Sequence, residues 1–183
     1  MELQAVFIDR DGTLGGSDTV IYPGEFELFP FSAEALTMLH DARIPVFSFT
    51  NQPGIARGEA TLDDFHKELI SFGFDHICIC PHTPDEHCSC RKPSPEMLIN
   101  AAKQHGLQLD KCAVIGDRWT DMVAAHAAGC IKVLVTTGSG NKDYLRYSNN
   151  EYFGDWLKAI PNYVAENLLG AVRWLLTEPS AQL

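Results

Sequence analysis

The sequence predicts an α/β protein built on a Rossmann-like, doubly wound parallel sheet. Apolar runs of strand length, such as Ala5-Val6-Phe7-Ile8 and Cys112-Ala113-Val114-Ile115, alternate with segments whose apolar residues recur at helical spacing. Strands and helices in that rhythm form a parallel sheet covered on both faces, and right-handed crossovers leave few topologies. Position supplies the third observation: polar clusters follow four of the five expected strands, at the carboxyl edge where such sheets hold ligands.

The first expected strand, Ala5 to Ile8, is too short for a helix and ends in Asp9 and Asp11, followed by Gly12. Side chains alternate along an extended chain, so both acids would point the same way, and Gly12 permits a sharp departure of the backbone. Residues 15–31 read as a long loop with a short hairpin. Ser32 is expected to cap a helix through Ala42, with Ala35, Leu36, Met38 and Leu39 as its apolar positions. Pro45 to Phe49 is the second strand and ends at Thr50-Asn51-Gln52-Pro53-Gly54. Thr61 opens a helix to about Phe72, with Leu62, Phe65, Leu69 and Phe72 at helical spacing. His76 to Cys80 is the third strand.

A helix starts at Ser94 and Pro95, with proline at its first position, and stops at Gly106. Cys112 to Ile115, the fourth strand, ends at Gly116-Asp117. A helix from Thr120 to Ala128 stops at Gly129, and Ile131 to Val135 is the fifth strand. Residues 141–157 carry no clear period. Pro161 to Leu176 is expected to form a C-terminal helix that turns Val164, Leu168, Val172, Leu175 and Leu176 to the core.

Composition bounds the function. A chain of 183 residues with 45% hydrophobic content is expected to form a single domain over 1–183 around one core. The net charge of −10, with no basic stripe to offset it, argues against nucleic acid or an anionic membrane surface. No run of 18 apolar residues exists, and Met1-Glu2-Leu3-Gln4 lacks the form of a signal peptide. A cytoplasmic monomer is expected, its six cysteines held as thiols or metal ligands.

A lone Asp-x-Asp serves equally well as a solvated turn. Convergence argues otherwise, because Asp9, Asp11, Asp117 and Asp121 would place up to four negative charges in one crevice. Two unit charges ~4 Å apart repel by about 4 kcal/mol at an effective dielectric near 20. Such a cluster needs a cation, and oxygen-only ligands favour Mg²⁺, which leaves room for substrate phosphate. Lys92 and the Thr50 hydroxyl would face an anionic group, an arrangement suited to phosphoryl transfer with a carboxylate as nucleophile.

A second constellation, Cys80-Pro81-His82 with Cys88-Ser89-Cys90, offers three thiols and an imidazole and fits a closed tetrahedral Zn²⁺ site of structural role over residues 80–90. Arg91 and Lys92 follow at once, so the metal would fix the approach of the lysine. Core cysteines or a disulfide are the plainer reading. Burial suits Cys78, Cys112 and Cys130, although Cys78 is spaced two from Cys80 and can share its face. His87 is a rival ligand. His40, His66, His105 and His126 fall on expected helices and read as surface or satisfied residues.

These residues resemble the haloacid dehalogenase superfamily of phosphohydrolases. The resemblance rests on Asp9-Arg10-Asp11-Gly12-Thr13, Thr50, Lys92 and Gly116-Asp117-Arg118-Trp119-Thr120-Asp121, in that order over roughly residues 5–140. It implies Asp9 as nucleophile and Asp11 as general acid, later the base that activates water. Thr50 and Lys92 would bind the phosphoryl oxygens. Asp9, the Asp11 backbone carbonyl and Asp117 would hold Mg²⁺, with Asp121 in the same cluster through water or Lys92. The cysteine pattern resembles the small, capless, zinc-containing branch that holds histidinol-phosphate and heptose-bisphosphate phosphatases. Thr50-Asn51-Gln52 and Gly54-Ile55-Ala56-Arg57-Gly58 resemble the heptose group, with Pro53 in place of its serine. The five residues between His82 and Cys88 resemble the histidinol group, and the 15–31 loop matches neither group closely, without the usual Pro-Gly directly before the first helix.

The expected activity is hydrolysis of a small sugar bisphosphate, with Thr50, Asn51, Arg57, Arg91 and Lys92 as substrate contacts. Arg57 and Arg91 would grip a second phosphate, or else are solvated surface arginines. Histidinol phosphate is the alternative substrate, and a non-catalytic, metal-dependent binder of phosphorylated ligands is the alternative of another class. A pure binder has no need of both Asp9 and Asp11, and the lack of a recognisable lid favours hydrolysis over transfer.

Overall fold

The structure, a computed structural model, describes residues 2–17 and 19–177. Ala5–Ile8 forms β1, and all four of its side chains are buried. Val6 and Ile8 enter one apolar cluster while Ala5 and Phe7 enter another, as the period-two alternation of a strand requires. The run is apolar throughout because a central strand in a covered sheet has no solvent face.

β1 pairs in parallel with β2 (Val46–Ser48) on one side and with β5 (Cys112–Gly116) on the other. The sheet runs β2-β1-β5-β6-β7, with β6 at Ile131–Val135 and β7 at Tyr163–Ala165. A parallel pair, β3 (Thr50–Asn51) and β4 (Ile79–Cys80), carries the edge onward. The expected third strand does lie beside the second: a Phe47–His76 bridge and bonds from Ser48 N–H to the His76 carbonyl (2.9 Å) and from Gln52 N–H to the Cys80 carbonyl (2.8 Å) align them. Only Ile79–Cys80 is regular strand. Winding from β1 reaches β2 on one side and β5 on the other, so the order reverses at β1.

α1 (Ser32–Asp41), α2 (Leu62–Ser71) and α6 (Leu168–Thr177) share the apolar cluster of Val6 and Ile8, while α3 (Glu96–His105) and α4 (Trp119–Ala128) share that of Ala5 and Phe7. α2 starts at a capping box in which Thr61 Oγ1 accepts from Asp64 N–H and Asp64 Oδ2 accepts from Thr61 N–H, both 3.1 Å. α3 and α4 end at Gly106 and Gly129, both left-handed. No helix among the described residues is long and apolar enough to cross a membrane.

Four expectations are corrected. Ser32 does not cap α1; it is the first helical residue, and its hydroxyl donates instead to the Leu14 carbonyl at 2.7 Å, pinning the preceding loop. Leu62 sits on the open side of the first turn of α2 and is 51% exposed. Pro161–Leu176 is not one helix. Val164 lies on β7, paired with Leu134, and α6 begins after Asn167, whose side chain caps it by accepting from Gly170 N–H at 3.0 Å. The stretch without a period folds as α5 (Gly140–Ser148) and a 3₁₀ segment, Gly154–Lys158, that buries Trp156 against Met122, Val123 and Leu134. The described residues between Gly15 and Phe31 keep the expected loop, with an antiparallel Gly15–Leu28 bridge.

The α3 contribution is testable. Leu98 is fully buried, so Leu98→Ala is expected to cost about 2–5 kcal/mol. The urea unfolding midpoint, at unchanged slope, measures it.

Candidate active site

The carboxyl ends of β1, β3 and β5 meet at the reversal of strand order, and the sequence-expected acids, lysine and threonine meet with them. Asp9 extends β1 by donating its N–H to the Ile115 carbonyl at 3.0 Å. Lys92 Nζ donates to Asp9 Oδ1 (2.8 Å), Asp121 Oδ1 (2.6 Å) and the Phe49 carbonyl (2.7 Å). All three donor positions of that ammonium are therefore in use. Asp9, Asp11, Thr50, Asn51, Arg91 and Lys92 line a cleft of about 300 Å³. Asp117 and Asp121 are fully buried beside it.

Backbone geometry permits the crowding. Gly12 has φ +86°, and a Cβ there would lie 2.3 Å from Asp117 Oδ2 and 3.0 Å from the Gly138 Cα. Gly138, with φ +54°, meets the same oxygen from the loop after β6. Asp121 serves two ends: Oδ2 accepts from Arg118 N–H (3.0 Å) as a helix cap, while Oδ1 takes Lys92.

Charge in the site is unbalanced. Burial, then Asp9 and Asp121, push the Asp117 carboxyl up to about 8. Burial and Asp9 push Asp121 up to about 6 against the pull of Lys92. Burial works against the Lys92 charge, yet Asp121 and Asp9 hold it above its ordinary value. Asp11 is raised by burial, with Arg10 opposing and Asp9 adding. Asp9, Asp117 and Asp121 each offer an oxygen within 4.8 Å of the others, and the buried Asp117 Oδ1 has no hydrogen-bond partner. An all-oxygen set with an unpartnered buried carboxylate oxygen fits a hard divalent cation of the Mg²⁺ type.

The second cluster gathers Cys80, His82, Cys88 and Cys90. Cys80 Sγ lies 3.6 Å from Cys88 Sγ and 3.3 Å from Cys90 Sγ, and His82 Nδ1 lies 3.7 Å from Cys80 and 3.3 Å from Cys90. Zn–S bonds of about 2.3 Å place tetrahedral sulfur ligands about 3.8 Å apart, so this set is nearly the right size for zinc. Cys78 packs into the core and His87 is exposed; neither joins the set. Cys112 and Cys130 are buried as expected.

Several placements differ from expectation or were not foreseen. Arg57 does not line the cleft; it is exposed and pairs with Glu59 at 2.9 Å. Arg118 lines it instead, beside Trp119 and Thr120. Asn51 lines the cleft and also clamps the Lys92 backbone, accepting its N–H (3.1 Å) and donating to its carbonyl (3.3 Å). Arg91 reaches from the cleft to the His82 carbonyl at 3.1 Å. Gln52 is wholly buried and donates to Asp11 Oδ2 (2.6 Å) and Thr50 Oγ1 (2.9 Å). Asp143 on α5 accepts from Trp119 N–H at 2.8 Å, tying the aperiodic stretch to the start of α4. Gln52 lies within the Thr50-Asn51-Gln52 motif, which by itself gives it no role, and no local signal marks Asp143; each takes its role from a partner brought up by the fold.

A doubly wound sheet with this convergence at its carboxyl edge defines a hydrolase of the phosphoryl-transferring class. Residues 18–129 match the family model of haloacid dehalogenase-like hydrolases, and residues 89–171 match a second, HAD-hydrolase-like model. The chain belongs to the haloacid dehalogenase-like hydrolases and is an enzyme of their phosphatase type. It is 38% identical over 151 residues to a D-glycero-β-D-manno-heptose-1,7-bisphosphate 7-phosphatase of Bordetella bronchiseptica, covering 76% of this chain and 84% of that one. A Helicobacter pylori protein of the same name is 33% identical over 171 residues, covering 85% and 97%. Among solved structures, the D,D-heptose 1,7-bisphosphate phosphatase of B. bronchiseptica, complexed with magnesium and phosphate, superposes with a TM-score of 0.80. Its identity is 34%, and the match covers 96% of this chain and 99% of that one.

The Gly12–Gly138 approach gives a prediction. Gly138→Ala forces a Cβ against the buried Asp117 carboxylate and is expected to lower kcat/KM by about 100-fold. Steady-state phosphate release, with circular dichroism as the check on folding, measures it.

Proposed function

We propose that this enzyme removes one phosphate from a small sugar bisphosphate, a D-glycero-D-manno-heptose 1,7-bisphosphate at its 7-position, through an aspartyl-phosphate on Asp9. The observation that carries the reading is the Lys92 ammonium held between Asp9 and Asp121 at the floor of a cleft lined by Thr50 and Asp11. Two arginines at the cleft, Arg91 and Arg118, support a substrate with a second phosphate. The names and coverage of the relatives support the sugar.

In this reading an Asp9 oxygen forms a bond to phosphorus as the ester P–O bond breaks. Asp11 gives its proton to the departing alkoxide, then takes one from the water that attacks the acyl phosphate, restoring the Asp9 carboxylate and releasing phosphate. Lys92 and Thr50 hold the phosphoryl oxygens, and Asp121 keeps Lys92 aimed. Mg²⁺ bound by Asp9, Asp117 and the Asp11 backbone carbonyl would neutralise charge on the phosphoryl group. Zn²⁺ held by Cys80, His82, Cys88 and Cys90 would be structural, since four protein ligands leave no open position. Six cysteines free of disulfides support a cytoplasmic setting.

A phosphate-release screen tests the substrate. With Mg²⁺ present, the heptose bisphosphate is expected to exceed histidinol phosphate and sugar monophosphates by at least about tenfold in kcat/KM. A preference for histidinol phosphate would replace the sugar by the alternative expected from the sequence. Asp9→Asn is expected to lower turnover by about 10⁴-fold or more while the protein keeps its far-ultraviolet circular dichroism. Near-normal hydrolysis by that variant would end the proposed mechanism.

Removal of zinc gives a separate outcome. Stripping it, verified by metal analysis, is expected to raise hydrogen exchange over residues 81–92 and to lower kcat/KM by about 10- to 100-fold, with the sheet still folded. Exchange in that segment unchanged by the loss of zinc would refute the structural role.

A further inference from the structure

Arg10 is the largest fully buried side chain among the described residues, and the mechanism above does not use it. A guanidinium out of water is costly unless charges and hydrogen bonds surround it. Its Nε and Nη2 donate to Glu68 Oε1 at 3.0 and 2.6 Å, and its Nη1 donates to Asp11 Oδ1 at 2.8 Å and to the Ile21 carbonyl at 2.7 Å. Its faces lie 3.7 Å from the centre of the Phe26 ring and 5.0 Å from that of Phe65. Glu68 stands on α2 and does not line the catalytic cleft.

The plane of the guanidinium decides where Nη1 points, and Glu68 sets that plane from the opposite edge. Asp11 Oδ1 also accepts from Ile21 N–H at 3.3 Å, so one carboxyl oxygen is held by a cation and an amide. Oδ2 has Gln52 as its neighbour. The two oxygens are thus held by different partners, Oδ1 by a cation and Oδ2 by the neutral amide that donates to it at 2.6 Å. Rotation of the Asp11 carboxyl would exchange the two oxygens; the Arg10–Glu68 pair opposes that rotation. Glu68 Oε2 accepts from Gly24 N–H at 3.2 Å, so the loop over 19–27 is tied at Ile21 by Arg10 and at Gly24 by Glu68. Val20 of the same loop lines the cleft.

We propose that Glu68 is a positioning residue for the reaction: acting through Arg10, it orients the Asp11 carboxyl and docks the 19–27 loop beside it. The proposal rests on the reading of Asp11 as the proton donor to the leaving group. It assigns no direct contact with substrate to Glu68.

Leaving-group dependence tests it. A sugar alkoxide needs a proton to depart, whereas p-nitrophenolate does not, and kcat/KM reports the steps up to release of that group. Glu68→Ala is expected to lower kcat/KM for the sugar bisphosphate by about 10- to 100-fold, and for p-nitrophenyl phosphate by no more than about threefold. Glu68→Gln keeps an oxygen that can accept from Arg10 and is expected to fall between the alanine variant and the wild type on the sugar substrate. This isosteric variant carries the comparison if the alanine protein does not fold. Asp11→Asn, measured beside them, should show the same selectivity in larger measure. Equal loss on both substrates in the Glu68 variants, or no loss on either, while Asp11→Asn discriminates, overturns the positioning role and leaves the Asp11 assignment standing. If Asp11→Asn fails to discriminate, the Asp11 assignment falls and the Glu68 role falls with it.

Discussion

Three buried carboxylates at one sheet edge set the terms for the rest of the molecule. Asp9, Asp117 and Asp121, all largely buried, bring oxygens within 4.8 Å of one another, where burial weakens screening by water. Burial and the neighbouring carboxylates push Asp117 up to about 8 and Asp121 up to about 6. Lys92 offsets part of that repulsion by pairing with two of the three. What it leaves over, concentrated at the unpartnered Asp117 Oδ1, fits a hard divalent cation.

Lys92 can do this only if its backbone arrives from the correct side. It lies in a loop, and loops are mobile unless tied. Asn51 clamps its peptide group, and the Cys80–Cys90 loop ends two residues before it. A zinc-closed loop would convert the approach to Lys92 from a flexible connection into a fixed one. Asp11, on the other side of the cleft, is tied differently: Arg10 and Ile21 hold one oxygen and Gln52 the other. The two sides of the reaction centre therefore rest on separate supports, a cysteine cluster for the lysine and a buried ion pair for the acid.

Much of this was legible in the sequence for a physical reason. β1 has both faces covered, so its apolar run is continuous, and the acids beginning at Asp9 mark the point where the chain leaves the core. Cys80, His82, Cys88 and Cys90 are close in sequence, so their meeting is nearly local. The failures share a cause. Val164 and Leu168 fit one helical face on paper, but pairing with β6 claims 163–165 as a strand, and Asn167 starts the helix afresh. Arg57 follows a motif that reaches the site, yet a nearby carboxylate, Glu59, binds it at the surface. Residues 141–157 are hard to read from the sequence because their order comes from single anchors, Asp143 on the Trp119 amide and Trp156 in the α4–β6 cleft. Arg10 and Glu68 stand 58 positions apart, and neither carries a local sign of the other.

In the proposed reaction, specificity falls to the rim of the cleft. A site open to solvent gains little from enclosure, so discrimination must come from groups that touch the part of the substrate beyond the reacting phosphate. Those groups here are Arg91, Arg118, Trp119, Val20 and Pro53. Two of them are guanidinium groups, and the others offer a partly apolar surface. Such a rim favours a ligand with a second anionic group joined by a short carbon chain over a bare monoester. The two supports described above matter for the same reason: they hold the groups of the proposed reaction in place before the substrate arrives.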